Sequence, residues 1–292
     1  MSPSTMLIEA NGLTFSARVS GPTDGELVVF VHGFPDEAST FDHQLSALGE
    51  AGYRCIAPTI RGYEPSSQPL DNDYSLMTLA GDVVGWLDAL GHQQAHVVGH
   101  DWGAAITHTL ATHHGGRVRS AAALAVPPIP RIPAALKHVP RQLKLSWYMT
   151  FFQIPGVPEA SLQARDWALL RWFWPRWSPG LQAPESLVAS FRRPGVLAAA
   201  LEYYRQNATP PLLLGLQSNP ATEIRPAGAP MLILHGERDG CMDARLFEHA
   251  VVAEDFPHGV RREALPGVGH FLHLESPDLV TGLLLDWVSE HS

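Results

Sequence analysis

Short runs dominated by apolar residues recur through the first third of the chain: Leu27 to Val31 (LVVFV), Arg54 to Ala57 (RCIA) and His96 to Val98 (HVV). Such runs suit strands buried on both faces. Between them apolar residues fall at helical spacing, over roughly Phe41 to Glu50 and Ser75 to Leu90. In the second segment Leu76, Leu79, Val83, Val84, Trp86, Leu87 and Leu90 form one broad face. Strand alternating with helix predicts right-handed crossovers and a parallel sheet. A further strand is predicted at Ala121 to Val126, after which the rhythm breaks at PPIPRIP, a proline cluster that cannot continue a central strand.

From about Ile129 to Ile224 no strand pattern is found. Aromatic-rich helical stretches such as LKLSWYMTFFQ and DWALLRWFWPRW occupy the segment instead. Strands return at Met231 to His235 (MLILH) and, more weakly, at Arg261 to Leu265, and a helix over Asp278 to Ser289 closes the chain. The pattern predicts an α/β protein: a mostly parallel core from residues 1–128 and 225–292, flanked by helices and interrupted by an all-helical cap over 129–224. No internal repeat is visible.

Composition narrows the function. At 45% hydrophobic and 17% charged residues the chain is globular in type. Its net charge of −9 and scattered arginines argue against a nucleic-acid partner, which needs a clustered basic face. The N-terminal MSPSTMLIEANG has neither the basic nor the apolar region of a signal peptide, and no apolar stretch approaches the ~20 residues of a membrane span. Two cysteines, Cys55 and Cys241, are too few for a disulfide framework and fit a reducing compartment. A cytoplasmic protein without membrane contact is expected, with a homodimer left open.

The chemistry centres on Val97-Val98-Gly99-His100-Asp101-Trp102-Gly103-Ala104. An apolar strand runs through a tight turn with glycine on both sides into a helical pattern, Ala104 to Ala111, which is the context of a nucleophile elbow. The turn exposes its middle residue, and larger flanking side chains would collide with strand and helix. That middle residue is aspartate where most elbows carry serine. A carboxylate suits in-line displacement at a saturated carbon, leaving an ester joined to the protein.

Hydrolysing that ester requires a base near neutral pH, for which histidine is the usual choice. Chain order at such elbows is nucleophile, acid, histidine. Asp239 follows the MLILH strand, and His270 follows the last predicted strand, so His270 is the predicted base and Asp239 its orienter. His273 is a decoy inside the next helical turn. His32-Gly33-Phe34-Pro35 follows the LVVFV strand, which makes the backbone N–H groups of Phe34 and Trp102 the predicted oxyanion hole. His32, Pro35, Trp102 and Trp147 are expected to wall the substrate pocket. No HExxH-like spacing occurs, and neither metal nor organic cofactor is expected.

HGFP, RGYEPSS, GHDWGA, the GERD loop and GVGHF, in this order, resemble the epoxide hydrolases of the α/β-hydrolase superfamily over nearly the whole chain. Glu64 departs from the glycine common in the second motif. The resemblance implies an α/β-hydrolase core, an epoxide substrate with water as second reactant, and a vicinal diol product. It also implies two cap tyrosines that hydrogen-bond the epoxide oxygen; matching WYMTFFQIPGVPE and LEYYRQN places them at Tyr148 and Tyr204. Tyr204 continues the helical stripe of Leu197 and Leu201, whereas Tyr203 would point about 100° away. An Asp–His–Asp set also resembles the haloalkane dehalogenases, but Phe34 stands where those commonly place a halide-binding asparagine. A non-enzymatic ligand receptor on the same scaffold is the third alternative, disfavoured by the filled catalytic positions.

Overall fold

The computed structural model describes residues 3–292; Met1 and Ser2, at the start of the N-terminal stretch read above, lie outside them. Eight strands form one sheet in the order β1-β2-β4-β3-β5-β6-β7-β8. They are β1 (Ser4–Ala10), β2 (Leu13–Ser20), β3 (Leu27–Val31), β4 (Arg54–Pro58), β5 (Ala95–His100), β6 (Val118–Leu124), β7 (Met231–Gly236) and β8 (Val260–Leu265). From β4 to β8 every neighbouring pair is parallel, while β1 and β2 add an antiparallel edge.

That edge hairpin was not anticipated, although the sequence carries its signal. Asn11 and Gly12 sit between two alternating runs with φ of 53° and 74°, and left-handed backbone at both central residues defines the favoured two-residue hairpin turn. β6 begins earlier than predicted. Its first residues are Val118 buried, Arg119 exposed and Ser120 buried, an alternation that a search for unbroken apolar runs overlooks.

Apolar side chains on the two faces of the sheet feed two cores. Val29, Val97, Ala123 and Ile233 pack beneath α2 (Leu76–Ala89) and α3 (Trp102–His113). Val28, Phe30, Val98 and Leu232 pack against α1 (Asp42–Glu50) and the C-terminal helix Pro277–Glu290. Having passed from β3 outward to β4, the chain returns to β5 on the other side of β3. This reversal opens a crevice at the C-terminal ends of β3 and β5, where open α/β sheets bind ligands.

Between β6 and β7 the described residues form seven α-helices and no strand. The longest, Val157–Trp177, is two helices joined at a kink, with Arg165, Asp166 and Trp167 at φ of 50–61°. This helical segment is fastened to the core at several points. Asn207 receives the Leu76 N–H and donates to the Tyr74 carbonyl, both at 2.8 Å. Tyr203 Oη donates to the Arg61 carbonyl at 2.7 Å. Glu64, for which the sequence suggested no role, is buried and accepts from the Ser16 N–H and hydroxyl at 2.6 and 2.8 Å, tying its loop to β2. Among the described residues no helix is long and apolar enough to cross a membrane.

Arg61 makes a two-pronged pair with Asp82 at 2.6 Å on both contacts, and both side chains are buried. Removing one partner of such a pair strands a charge in a low-dielectric site. Arg61→Ala should therefore cost about 3–5 kcal/mol in urea unfolding, and replacing both residues by leucine should recover most of the loss. Equal destabilisation by the single and double variants would show that the pair itself is not the cause.

Candidate active site

Asp101 occupies the turn between β5 and α3 with φ 54° and ψ −117°. This left-handed position, costly for a side chain, is enforced by close packing on both sides. A Cβ on Gly99 would lie 2.0 Å from the Gly103 carbonyl oxygen, and one on Gly103 would lie 1.8 Å from that of Val31. Only hydrogen fits at either place, and the turn drives the Asp101 carboxylate out over the sheet edge.

The two carboxylate oxygens face different partners. Oδ1 accepts the Phe34 N–H at 2.8 Å, and Oδ2 lies 3.3 Å from His270 Nε2. No hydrogen bond to Oδ1 comes from the Trp102 N–H, so only one of the two predicted oxyanion donors is engaged in this state. His270 Nδ1 is 2.9 Å from Asp239 Oδ2, and Asp239 Oδ1 accepts the N–H groups of Cys241 and Met242 at 2.6 and 2.9 Å. Burial pushes the His270 imidazole down, but Asp239 and Asp101 at its two nitrogens outweigh that and raise its pKa to about 10. At neutral pH the resting arrangement is an imidazolium between two carboxylates.

Tyr148 and Tyr204 meet Asp101 and Trp102 on the wall of one largely apolar cavity. The Tyr204 hydroxyl has no hydrogen-bond partner, and Tyr148 Oη is 3.3 Å from Cys241 Sγ. Burial, with the charge of Asp101 adding to it, pushes both phenols well above their ordinary value of 10. They stay protonated and able to donate. Tyr203, its hydroxyl spent on Arg61, is not on this cavity wall.

Three residues expected on the pocket wall lie elsewhere. His32 is buried, accepts the Ile60 N–H on Nε2 at 3.2 Å, and burial lowers its pKa to about 4. Pro35 presents its carbonyl to the Trp174 indole N–H at 2.9 Å. Trp147 is 44% exposed and packs on Trp172 and Phe151. Successive helical residues point about 100° apart, so with Tyr148 turned inward Trp147 must face out. His273 is buried and bonded to Thr40 Oγ1 at 2.6 Å.

Cys241 is the cavity residue that sequence reasoning passed over. The available signal was its position two residues after Asp239, on the loop that delivers the acid. Asp36, His100 and His273 form a second buried group behind the histidine, and His100 Nε2 lies 3.0 Å from the His270 carbonyl. Among the described residues two groups could hold a cation: this one, and Asp101, Cys241 and His270.

Comparison with known proteins agrees with this fold. The family model described as alpha/beta hydrolase fold matches residues 26–277. Epoxide hydrolase A of Mycobacterium tuberculosis (strain ATCC 25618 / H37Rv) is 30% identical over 320 residues, covering 98% of each chain. The AB hydrolase superfamily protein YfhM of Bacillus subtilis (strain 168) is 30% identical over 292 residues, covering 96% of each. The crystal structure of Epoxide Hydrolase A from Mycobacterium thermoresistibile superposes with a TM-score of 0.77 at 29% identity, covering 99% of this chain and 98% of that one.

The raised pKa of His270 has a consequence for stability. A histidine whose pKa is higher in the folded state contributes stability that is fully present below its unfolded value and lost as pH rises through the folded value. Wild-type protein should thus lose melting temperature relative to His270→Gln between pH 6.5 and about 10. A difference that stays flat across this window in paired thermal melts would mean that the resting imidazole is neutral.

Proposed function

The chain belongs to the alpha/beta hydrolase fold family, among its epoxide hydrolases, and from that premise we propose how its residues carry the conversion of an epoxide and water to a vicinal diol. The observation that carries the reading is a carboxylate at the elbow sharing one cavity with two protonated phenols. The carboxylate supplies a nucleophile for saturated carbon, and the phenols supply what an opening epoxide needs and a departing halide does not, a proton for the oxygen. Trp174, an indole that could have served a halide, is committed to the Pro35 carbonyl.

In the first step the epoxide oxygen accepts hydrogen bonds from Tyr148 and Tyr204 while Asp101 Oδ2 attacks a ring carbon. The C–O bond breaks, its electron pair goes to oxygen, and that oxygen takes a phenol proton. An ester, a hydroxyl and a phenolate result. Ester formation also removes the charge of Asp101, one of the two that held the proton on His270. The imidazolium proton passes to the phenolate, which restores the phenol and leaves His270 neutral.

In the second step His270 Nε2 takes a proton from water as that water adds to the ester carbonyl. The oxyanion forms on Oδ1, held by the Phe34 N–H and by the Trp102 N–H, which the resting carboxylate leaves free. Such donors contribute roughly 3–4 kcal/mol each. Collapse expels the diol, which departs with one proton from the water, and the other remains on His270. The carboxylate–imidazolium pair is regenerated and the protons balance. Asp239 keeps Nδ1 occupied so that Nε2 faces the ester.

Residues 129–224 act in this reading as a cap that contributes both tyrosines and closes the cavity. Two unpaired, buried cysteines suit a reducing compartment, and a cytoplasmic location is part of the proposal.

Asp101→Ala should abolish diol formation from a styrene-type epoxide. His270→Gln should stop at the ester, visible in intact mass spectrometry as protein plus substrate; normal turnover by this variant would remove His270 as the base. Tyr148→Phe with Tyr204→Phe should slow ester formation by at least about 100-fold. Release of bromide from a bromoalkane faster than diol from the epoxide would favour displacement of halide instead.

A further inference from the structure

The cavity contains a nucleophilic group that the hydrolysis leaves unused. Cys241 is free, is 1% exposed, and places its thiol against the Tyr148 hydroxyl. One ligand atom each from Asp101, Cys241 and His270 lies within 4.8 Å of the other two. His270 Nε2 stands 3.3 Å from Asp101 Oδ2. Two ligands bound tetrahedrally to a zinc-sized ion at about 2.0–2.2 Å are roughly 3.4 Å apart. The nitrogen and oxygen are already at that spacing, with the sulfur on the cavity side.

We propose that Asp101 Oδ2, Cys241 Sγ and His270 Nε2 form an inhibitory site for a thiophilic divalent cation of the zinc and cadmium type. Each ligand is braced from its far side, as metal ligands characteristically are. Asp239 holds His270 Nδ1, the Phe34 N–H holds Asp101 Oδ1, and Tyr148 Oη lies beside the sulfur. The fourth tetrahedral position faces the cavity and takes water. A thiolate ligand selects zinc or cadmium over magnesium or calcium, which prefer oxygen. The buried group of Asp36, His100 and His273 lacks a thiol, and none of its residues lines the cavity.

Binding is an exchange of a cation for protons with no redox step. The Cys241 S–H and His270 N–H bonds break, sulfur and nitrogen each give an electron pair to the metal, and two protons leave to solvent. Because protons compete with the cation for the sulfur and the nitrogen, apparent affinity rises with pH. The bound cation occupies the oxygen that attacks and the nitrogen that activates water, so turnover stops and a chelator restores it. The site depends on the side-chain geometry alone and would exist in a protein inert toward epoxides.

The test is titration of the metal-free chain with cadmium chloride, followed by the ultraviolet thiolate-to-cadmium charge-transfer band. The expected result is saturation at one equivalent, with two protons released to a pH indicator. The band should vanish in Cys241→Ser and persist in Cys55→Ser. His270→Ala should weaken binding at least 10-fold, and zinc chloride should displace cadmium where magnesium chloride does not. X-ray absorption of the wild-type cadmium complex needs no variant and should show one sulfur with imidazole nitrogen. Absence of the band, its survival in Cys241→Ser, or a shell of oxygen alone would overturn the proposal. Because the band reports the metal directly, failure of epoxide turnover would leave this result standing, and the reverse also holds.

Discussion

The catalytic geometry depends on a steric constraint: the first turn of α3 presses so closely on β5 and the end of β3 that residues 99 and 103 can carry only hydrogen. Asp101 is thereby forced to a positive φ that a free chain would avoid. The strain is held by the sheet, whose strands at this point are buried on both faces. A carboxylate placed on a relaxed loop would turn toward water. Here it is held against the Phe34 amide on one oxygen and the His270 imidazole on the other.

Electrostatics then gives this rigid group two states. With Asp101 charged, His270 lies between two anions and keeps its proton despite complete burial. With Asp101 esterified, one anion is gone and burial favours the neutral base. The same imidazole thus stores a proton in the resting state and becomes a base only when an ester awaits water. In the proposed mechanism this order of events follows from charge consumption.

The helical segment between β6 and β7 does more than cover the cavity. The Trp177 carbonyl at the end of its longest helix accepts the N–H groups of Gly240 and His270, both at 3.1 Å, and Ser178 Oγ accepts that of Phe271 at 2.8 Å. The loops carrying Asp239 and His270 are therefore pinned to the end of that helix. Tyr148 stands against Trp177, Phe152 and Phe173, and Tyr204 against Phe34 and Trp102. Packing fixes both phenols without spending the Tyr204 hydroxyl on the protein.

The sequence by itself determined the strand and helix alternation, the aspartate elbow, and the acid and histidine on the two later strand ends. These are encoded locally, because a sharp turn between strand and helix demands small residues at set offsets and parallel strands deliver loops to one edge. Helical phase also separated Tyr204 from Tyr203. Tertiary structure alone decided which neighbours reach the cavity. Trp147 faces outward because Tyr148 faces inward, His32 turns to the Ile60 amide, and Pro35 meets an indole 139 residues away. Cys241 enters the site only because Asp239 gathers the two backbone N–H groups of its own loop. The His32 and Pro35 contacts join segments far apart in the chain, and no local pattern carries the side-chain direction that such packing imposes.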